Sequence, residues 1–451
     1  MSRLASLRTA ALLTLGLLTI GLVDPLPAQI KPTRQQKVLA DRDKVLAEGF
    51  WIYNDLDRGL AEARRTNLPL LVALRCLPCE ECVKLDEELI EQHPEVRPLL
   101  EQFVRVRLVA ANNLDLKLFQ FDTDQSFAVF FLNADGTIYG RFGTRSDQIQ
   151  WADDVSIEGL ARAMEGALEL HRLSPAERGD LAAKRGPAPE FATPHEFPRF
   201  RDKYGPRLNY EGNVVQSCIH CHMIGDAQRQ SARERDGAIP ETLLFPQPHP
   251  RSIGLVFDPQ TRGTIRRVEA ESPASRAGLQ PGDELRRLNN QPVLSIADVQ
   301  WVLHGISPEG GTVRVSLQRD GKPVVATLEL PRHWRRADDI AWRASSWELR
   351  RMALGGLYFK ELDDDQRQKL QLPAARRGLY LQHAGKFAPH DQGHKAGFLE
   401  GDLLLRFDGQ TFTRETDLLR YALNDLPVGR SVDVEIDRKG TSKTFRLEMR
   451  R

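Results

Sequence analysis

The sequence predicts a multidomain chain: an α/β unit first, a small irregular and helical segment next, and two α+β units last. Three observations predict it. The apolar run Pro69 to Leu74 has no alternation, as a fully buried central strand requires, and helical periodicities flank it. A stretch of about 58 residues, Pro194 to Arg251, is rich in Pro, Arg and His and poor in strand signals. Beyond it a pattern of glycines and aspartates recurs at one fixed offset.

Length and composition bound the answer. A chain of 451 residues with 41% hydrophobic and 28% charged side chains is an ordinary globular composition, with room for about three domains by length alone. Its 63 basic and 62 acidic residues leave a net charge of +1, which excludes a dedicated nucleic-acid binder lacking any basic excess. Five cysteines are too few for a disulfide-stapled scaffold, so their grouping matters more than their number.

Arg3 and Arg8 precede the apolar run Ala11 to Val23, which Asp24 and Pro25 stop. A basic start and a short apolar core form a signal-peptide pattern, too short to span a bilayer comfortably. Residues 1–28 are therefore read as a signal peptide cleaved after Ala28. Leu26 suits the position three residues before that cut poorly, which leaves an uncleaved N-terminal anchor as the alternative. Either way the expected location is the periplasm or cell envelope, with no further membrane contact.

Residues 30–50 are polar and read as a leader. Leu56, Leu60 and Ala63 predict a helix over Asn54 to Asn67, and Cys79 to Ile90 predicts another with Cys82, Leu85 and Leu89 on one face. Val104 to Val109 reads as a strand, and Phe127 to Leu132 with Thr137 to Phe142 as a hairpin turning at Asn133-Ala134-Asp135-Gly136. A helix over Ile157 to Leu173 closes the unit, and residues 174–193 form a linker.

Cys76-Leu77-Pro78-Cys79-Glu80-Glu81-Cys82 sits between the buried strand and a helix. Thiol–disulfide exchange needs one accessible thiolate and a second cysteine in reach, and a helix N-terminus favours the thiolate. Cys76/Cys79 and Cys79/Cys82 both have the spacing. With Leu85-Asp86-Glu87-Glu88 following, residues 48–173 resemble thioredoxin-like proteins. The resemblance implies Cys79 as the attacking thiol and Cys82 as the resolving one, with Cys76/Cys79 as the competing pair. Two positions depart from thioredoxin: Phe127 stands where a cis-proline is usual, and Ala73 where a buried acid is.

Cys218-Ile219-His220-Cys221-His222 has the spacing of covalent haem attachment, in which two thiols meet the vinyl groups and the following histidine ligates iron. On that reading residues 194–251 bind haem c through Cys218 and Cys221, with His222 as the metal ligand. A structural disulfide and a zinc site are the alternatives.

Ala277-Gly278-Leu279-Gln280-Pro281-Gly282-Asp283 matches Ala396-Gly397-Phe398-Leu399-Glu400-Gly401-Asp402 at an offset of 119, which also carries Asp298 onto Asp417, Val313 onto Val432 and Gly321 onto Gly440. Residues 252–332 and 352–450 resemble the PDZ domains of bacterial envelope proteases. The resemblance implies peptide C-termini as partners, gripped at Ile253-Gly254-Leu255 and Gly355-Gly356-Leu357. No Gly-x-Ser-x-Gly element accompanies them, so proteolysis is not expected.

The combination resembles multidomain bacterial thioredoxin-like/PDZ proteins. It implies an exported thiol–disulfide oxidoreductase or electron-transfer protein that docks client C-termini, or else a non-enzymatic adaptor or redox sensor on an inactive thioredoxin-like scaffold.

Overall fold

A computed structural model describes residues 32–75, 93–125, 127–144 and 154–448. The signal peptide read at residues 1–28, the cysteines Cys76, Cys79 and Cys82, and the helix expected over Cys79 to Ile90 lie outside the described residues.

The stretch read as a polar leader is instead a helix, α1 (Arg34–Glu48), whose Val38 and Val45 are buried. Two apolar residues seven apart hold one face down, a signal too sparse to stand out among its charges. The next helix, α2 (Leu56–Thr66), starts where the Asp55 carboxylate accepts from Arg58 N and stops where Asn67 turns left-handed.

The apolar run forms β2 (Leu70–Arg75), buried along its whole length. It pairs in parallel with β3 (Val104–Leu108) and antiparallel with β4 (Phe127–Leu132). With β1 (Ile52–Tyr53) and β5 (Ile138–Phe142) at the edges, the order is β1-β3-β2-β4-β5, with β2 central as its unalternating run predicts. The β4–β5 hairpin closes at Gly136, whose φ of +83° suits glycine. Helix α3 (Ile157–Arg172), capped by Ser156, packs on one face of the sheet.

The connection read as a plain linker contains a 3₁₀ turn, Gly179–Lys184, and Lys184 is fully buried. The segment that follows has no core of its own. Phe197, Phe200, Ile219, Ile224 and Ala227 join the cluster built by Leu70 and Val72 on the other face of the sheet. Its main helix, α4 (Cys221–Asp236), ends at Gly237 in the left-handed region. Farther on, Ile239, Leu244 and Phe245 enter the core of the last domain.

The repeat is real at the level of hydrogen bonds. The first copy contains β6 (Leu255–Phe257), β7 (Ile265–Val268), β8 (Glu284–Leu288), β9 (Gln291–Pro292), α5 (Ile296–His304), β10 (Gly311–Arg319) and β11 (Lys322–Leu330). The second begins with α6 (Ser346–Leu354) and continues through β12 (Leu357–Glu361), β13 (Leu379–Ala384), β14 (Leu403–Phe407), α7 (Glu415–Arg420), β15 (Ser431–Arg438) and β16 (Thr441–Glu448). Arg319 Nε donates to Asp283 at 2.7 Å and its Nη2 to Gly278 O at 2.8 Å; Arg438 does the same to Asp402 and Gly397 at 2.7 and 2.8 Å. Each pair is related by the same offset of 119.

The domains interlock rather than hang on linkers, and Arg34–Arg451 forms one compact unit. Arg343, ahead of the second repeat, donates at 2.7 Å to both oxygens of Asp122 in the first domain. Ser345 bonds Asp124 through its N and Oγ at 2.8 and 2.9 Å, and Arg229 of α4 lies 3.7 Å from the same carboxylate. Buried charges persist only when matched in this way.

Candidate functional site

The C-terminal end of β2 is the centre of the candidate site, because the chain passes there directly from Arg75 to Cys76. Arg75 is buried, and its guanidinium donates to Asp41 of α1 at 2.6 Å. Phe127, at the first position of β4, lies opposite Arg75, so the residue standing in for the proline does face this strand end. Ala73 is buried among the apolar side chains under α3, where a carboxyl would need its own partner.

Asn112, with no exposed surface, seats the Cys218–His222 segment on this end. Its Oδ1 accepts from Ile219 N at 2.9 Å, and its Nδ2 donates to Ser217 O and Gly205 O, each at 2.8 Å. Gln35 of α1 adds a bond to Gly212 O at 2.8 Å, and Asn54 one to Tyr210 Oη at 3.0 Å. Nothing in the sequence singles out Asn112. Its role exists only because residues 112 and 219 meet in space.

Cys218 is 4% exposed and packs with Val38, Val109, Leu208 and Val214. As a thiol it donates to Ile219 O at 3.5 Å. Cys221 is partly exposed and is the first residue of α4. Both cysteines line a hollow together with Leu74, Arg75 and Ala111. The His220 and His222 rings stack with centroids 5.9 Å apart, and His222 Nδ1 lies 3.8 Å from Asp226 Oδ2. Burial pushes the Asp226 carboxyl up, while His222 and Arg229 pull against it.

These residues, as folded, do not fit a covalent haem. The hollow beside Cys218 measures about 10 Å³, room for a single water, whereas pockets for ligands of porphyrin size run to hundreds of Å³. Both thiols would have to meet one macrocycle, and Cys218 is enclosed by α1 and the ends of the first sheet. Among the described residues no cluster of three or more His, Cys, Asp or Glu side chains is arranged to hold an ion.

The two loops read as peptide-binding have the expected backbone but bonded amides. Gly254 is left-handed, with φ +84°, and its N–H donates to Arg251 O at 3.0 Å; Ile253 and Leu255 beside it are buried. Gly355 and Gly356 have φ +61° and +84°, Gly356 N donates to Arg350 O at 3.1 Å, and Leu357 is buried.

The rest of the chain packs against the groove helix of the first copy and across the groove of the second. Helix α5 of the first copy lies against the thioredoxin-like sheet: Asp298 accepts from Lys184 Nζ at 2.6 Å, Gln300 from Thr144 at 2.5 Å, and Trp301 Nε1 donates to Ala183 O at 3.1 Å. In the second copy β12 is an edge strand, and on its outer edge Phe359 N donates to Glu415 of α7 at 2.9 Å. Arg350 of α6 clamps the same carboxylate at 3.0 and 2.6 Å, while Leu349, Met352 and Leu354 pack with Leu418, Leu419 and Leu423.

Comparison with known proteins finds both kinds of domain in the chain. The model described as "Thioredoxin-like" matches residues 51–134, and the PDZ domain model matches residues 252–330 and 370–449. The chain therefore contains a thioredoxin-like domain and two PDZ domains. A "Probable periplasmic serine endoprotease DegP-like" of Pseudomonas fluorescens is 26% identical over 41% of this chain and 37% of its own length. One from Pseudomonas savastanoi pv. phaseolicola is 26% identical over 44% and 39%. The periplasmic serine endoprotease DegP of Salmonella typhimurium is 32% identical over 17% and 16%. The chain thus spans less than two fifths of the length of these relatives. A solved structure, the HtrA-type protease AlgWS227A with decapeptide, matches 31% of this chain and 40% of its own at 15% identity, with a TM-score of 0.20. No helix among the described residues is long and apolar enough to cross a membrane.

Proposed function

We propose that this protein is an exported thiol–disulfide oxidoreductase whose reacting thiols continue from the C-terminal end of β2. The observation that carries this reading is the thioredoxin order of the sheet, which makes β2 its central strand and sets Cys76 next in the chain after Arg75. Cys79 attacks and Cys82 resolves; Cys76/Cys79 is the competing pair. Export is supported by the basic and apolar N-terminal pattern and by relatives whose names place them in the periplasm.

The PDZ domains brace the thioredoxin-like domain in this conformation. The second takes up a client C-terminus when its covering helix, α6, is released. The adaptor reading needs grooves that stand open, and the covered groove of the second copy weighs against it. The endoprotease activity in the relatives' names belongs to proteins that this chain matches over less than half their length.

An insulin disulfide-reduction assay on wild type and Cys79→Ser tests the reading. A loss of tenfold or more in the variant is expected. Equal rates at background level would leave the inactive-scaffold reading in its place.

A further inference from the structure

Arg233 of α4 is a buried cation without a counterpart. It is 5% exposed, and neither Nε nor either Nη atom has a hydrogen-bond partner among the described residues. A lysine so placed could shed its proton, but a guanidinium stays charged near neutral pH. A buried charge of this kind costs stability until a group of opposite sign reaches it. Burial and the neighbouring Arg351 both push the Arg233 pKa down, and no acid among the described residues opposes them.

The surroundings add positive charge. Arg199 Nη1 donates to Gln230 of α4 at 3.2 Å and to Glu348 of α6 at 3.1 Å, so the two helices meet here. Gln230 and Arg233 stand three apart, on one face of α4. Arg351 Nε and Nη2 donate to the two oxygens of Glu348, each at 3.0 Å. Against burial, Arg351 and Arg199 hold the Glu348 carboxyl below its ordinary range. That carboxylate is already engaged by two cations, and Arg233 forms no ion pair with it. Glu234, which accepts from Gln230 Nε2 at 2.8 Å, is exposed. Three guanidiniums thus gather around one buried carboxylate.

We propose that Arg233, Arg351 and Arg199 form a binding site for a small tetrahedral dianion, sulfate or hydrogen phosphate. The ion lies between Arg233 and Arg351 and accepts from the Arg233 nitrogens, the donor geometry that guanidinium offers to oxyanions. It enters from the side of Arg199 and Arg351, whose side chains are 29% and 18% exposed. A monoanion would leave one of the two surplus charges unanswered. A phosphorylated macromolecule or a lipid headgroup is too bulky for a guanidinium whose nitrogens are all enclosed. Bound there, the ion ties α4 to α6, the helix that lies across the second PDZ groove.

The test titrates the full-length chain calorimetrically with sodium sulfate, phosphate or acetate, at ionic strength matched with sodium chloride. Sulfate and phosphate should each fill a single saturable site with a dissociation constant of about 1 mM or tighter, and acetate should bind about tenfold more weakly. Arg233→Met should weaken sulfate binding at least tenfold. In chloride alone this variant should unfold at the same temperature as wild type or higher, because the unpaired charge is gone. Sulfate at about 10 mM, too dilute for a general salt effect, should then raise the midpoint of wild type only. Arg233→Lys keeps the charge without the fork, so it should bind sulfate with intermediate affinity, and it guards against a folding defect in the methionine variant. The absence of saturable binding overturns the proposal. Acetate binding as tight as sulfate, or sulfate binding untouched by Arg233→Met, does the same.

Discussion

Lys184 and Asp298 form an ion pair of 2.6 Å with both side chains essentially unexposed. They join the connection after the thioredoxin-like domain to the groove helix of the first PDZ domain. Asp298 also accepts from Leu294 N at 3.0 Å and Arg141 N at 3.3 Å, so its carboxylate is the hub where three segments meet. Burial pushes the Lys184 amine down, and Asp298 opposes that shift.

Lys184→Met should therefore destabilise the chain by about 3 kcal/mol or more, because it leaves a buried carboxylate without its cation. Urea unfolding followed by tryptophan fluorescence measures it. A change below about 0.5 kcal/mol would mean that the carboxylate finds another partner or takes up a proton.

Asn112→Ala should unseat the Cys218–His222 segment while the thioredoxin-like sheet stays folded. It removes one bond to the buried Ile219 N–H, a loss of about 1–3 kcal/mol when left unmade, and two to the less buried carbonyls of Ser217 and Gly205. Alkylation of Cys218 by iodoacetamide should accelerate at least tenfold relative to wild type, with far-ultraviolet circular dichroism nearly unchanged.

Arg350→Ala should open the second PDZ groove. Arg350 holds Glu415 across the outer edge of β12, where an added peptide strand would bond. A fluorescent peptide with an apolar C-terminal residue is expected to bind the variant at least tenfold more tightly than wild type. Equal affinity for the two would show that α6 does not guard this strand.

Asp338 gives the stability a pH signature. Burial pushes its carboxyl up to about 6, with Arg343 and His249 pulling it back. An acid raised in the fold favours the protonated form, so its contribution is fully present below about pH 4 and is lost as pH rises through about 6. Asp338→Asn should remove that slope: the stability difference between variant and wild type changes between pH 4 and 6 and is flat above 7. A difference that stays constant over this window would show that Asp338 does not titrate there.

Gly356→Ala should be poorly tolerated. Its φ of +84° is one that an L side chain rarely adopts, and a Cβ there would stand 1.9 Å from His390 O. A destabilisation of about 2 kcal/mol or more is expected by thermal unfolding, from the strained φ and the backbone clash together. Gly440→Ala, also left-handed but with nothing near its Cβ, should lose less.

Much of the architecture was legible because it rests on local patterns. The unalternating run at Leu70 to Leu74 marked a central strand, since only a strand covered on both faces can be apolar at every position. The offset of 119 marked two copies of one fold, and the Asp283–Arg319 and Asp402–Arg438 pairs show why those aspartates recur: each holds a hairpin to a loop. Asp55 and Asn67 set the limits of α2 through capping, a one-residue effect.

What escaped the sequence depends on contacts between residues far apart in it. Residues 34–48 look like a solvated leader until Val38 meets Val214 and Cys218. Lys184 looks like a linker charge until Asp298 is brought to it. The sequence by itself determined the thioredoxin-like and PDZ domains, their order, and the cysteine pairs available for chemistry, because periodicity, turn residues and spacing are written locally. Only the tertiary structure decided that the second PDZ groove is covered and that the Cys218–Cys221 pair lies at the end of β2 in a hollow too small for a macrocycle. Burial, ion pairing and cavity size arise from packing between distant segments, and no local pattern encodes them.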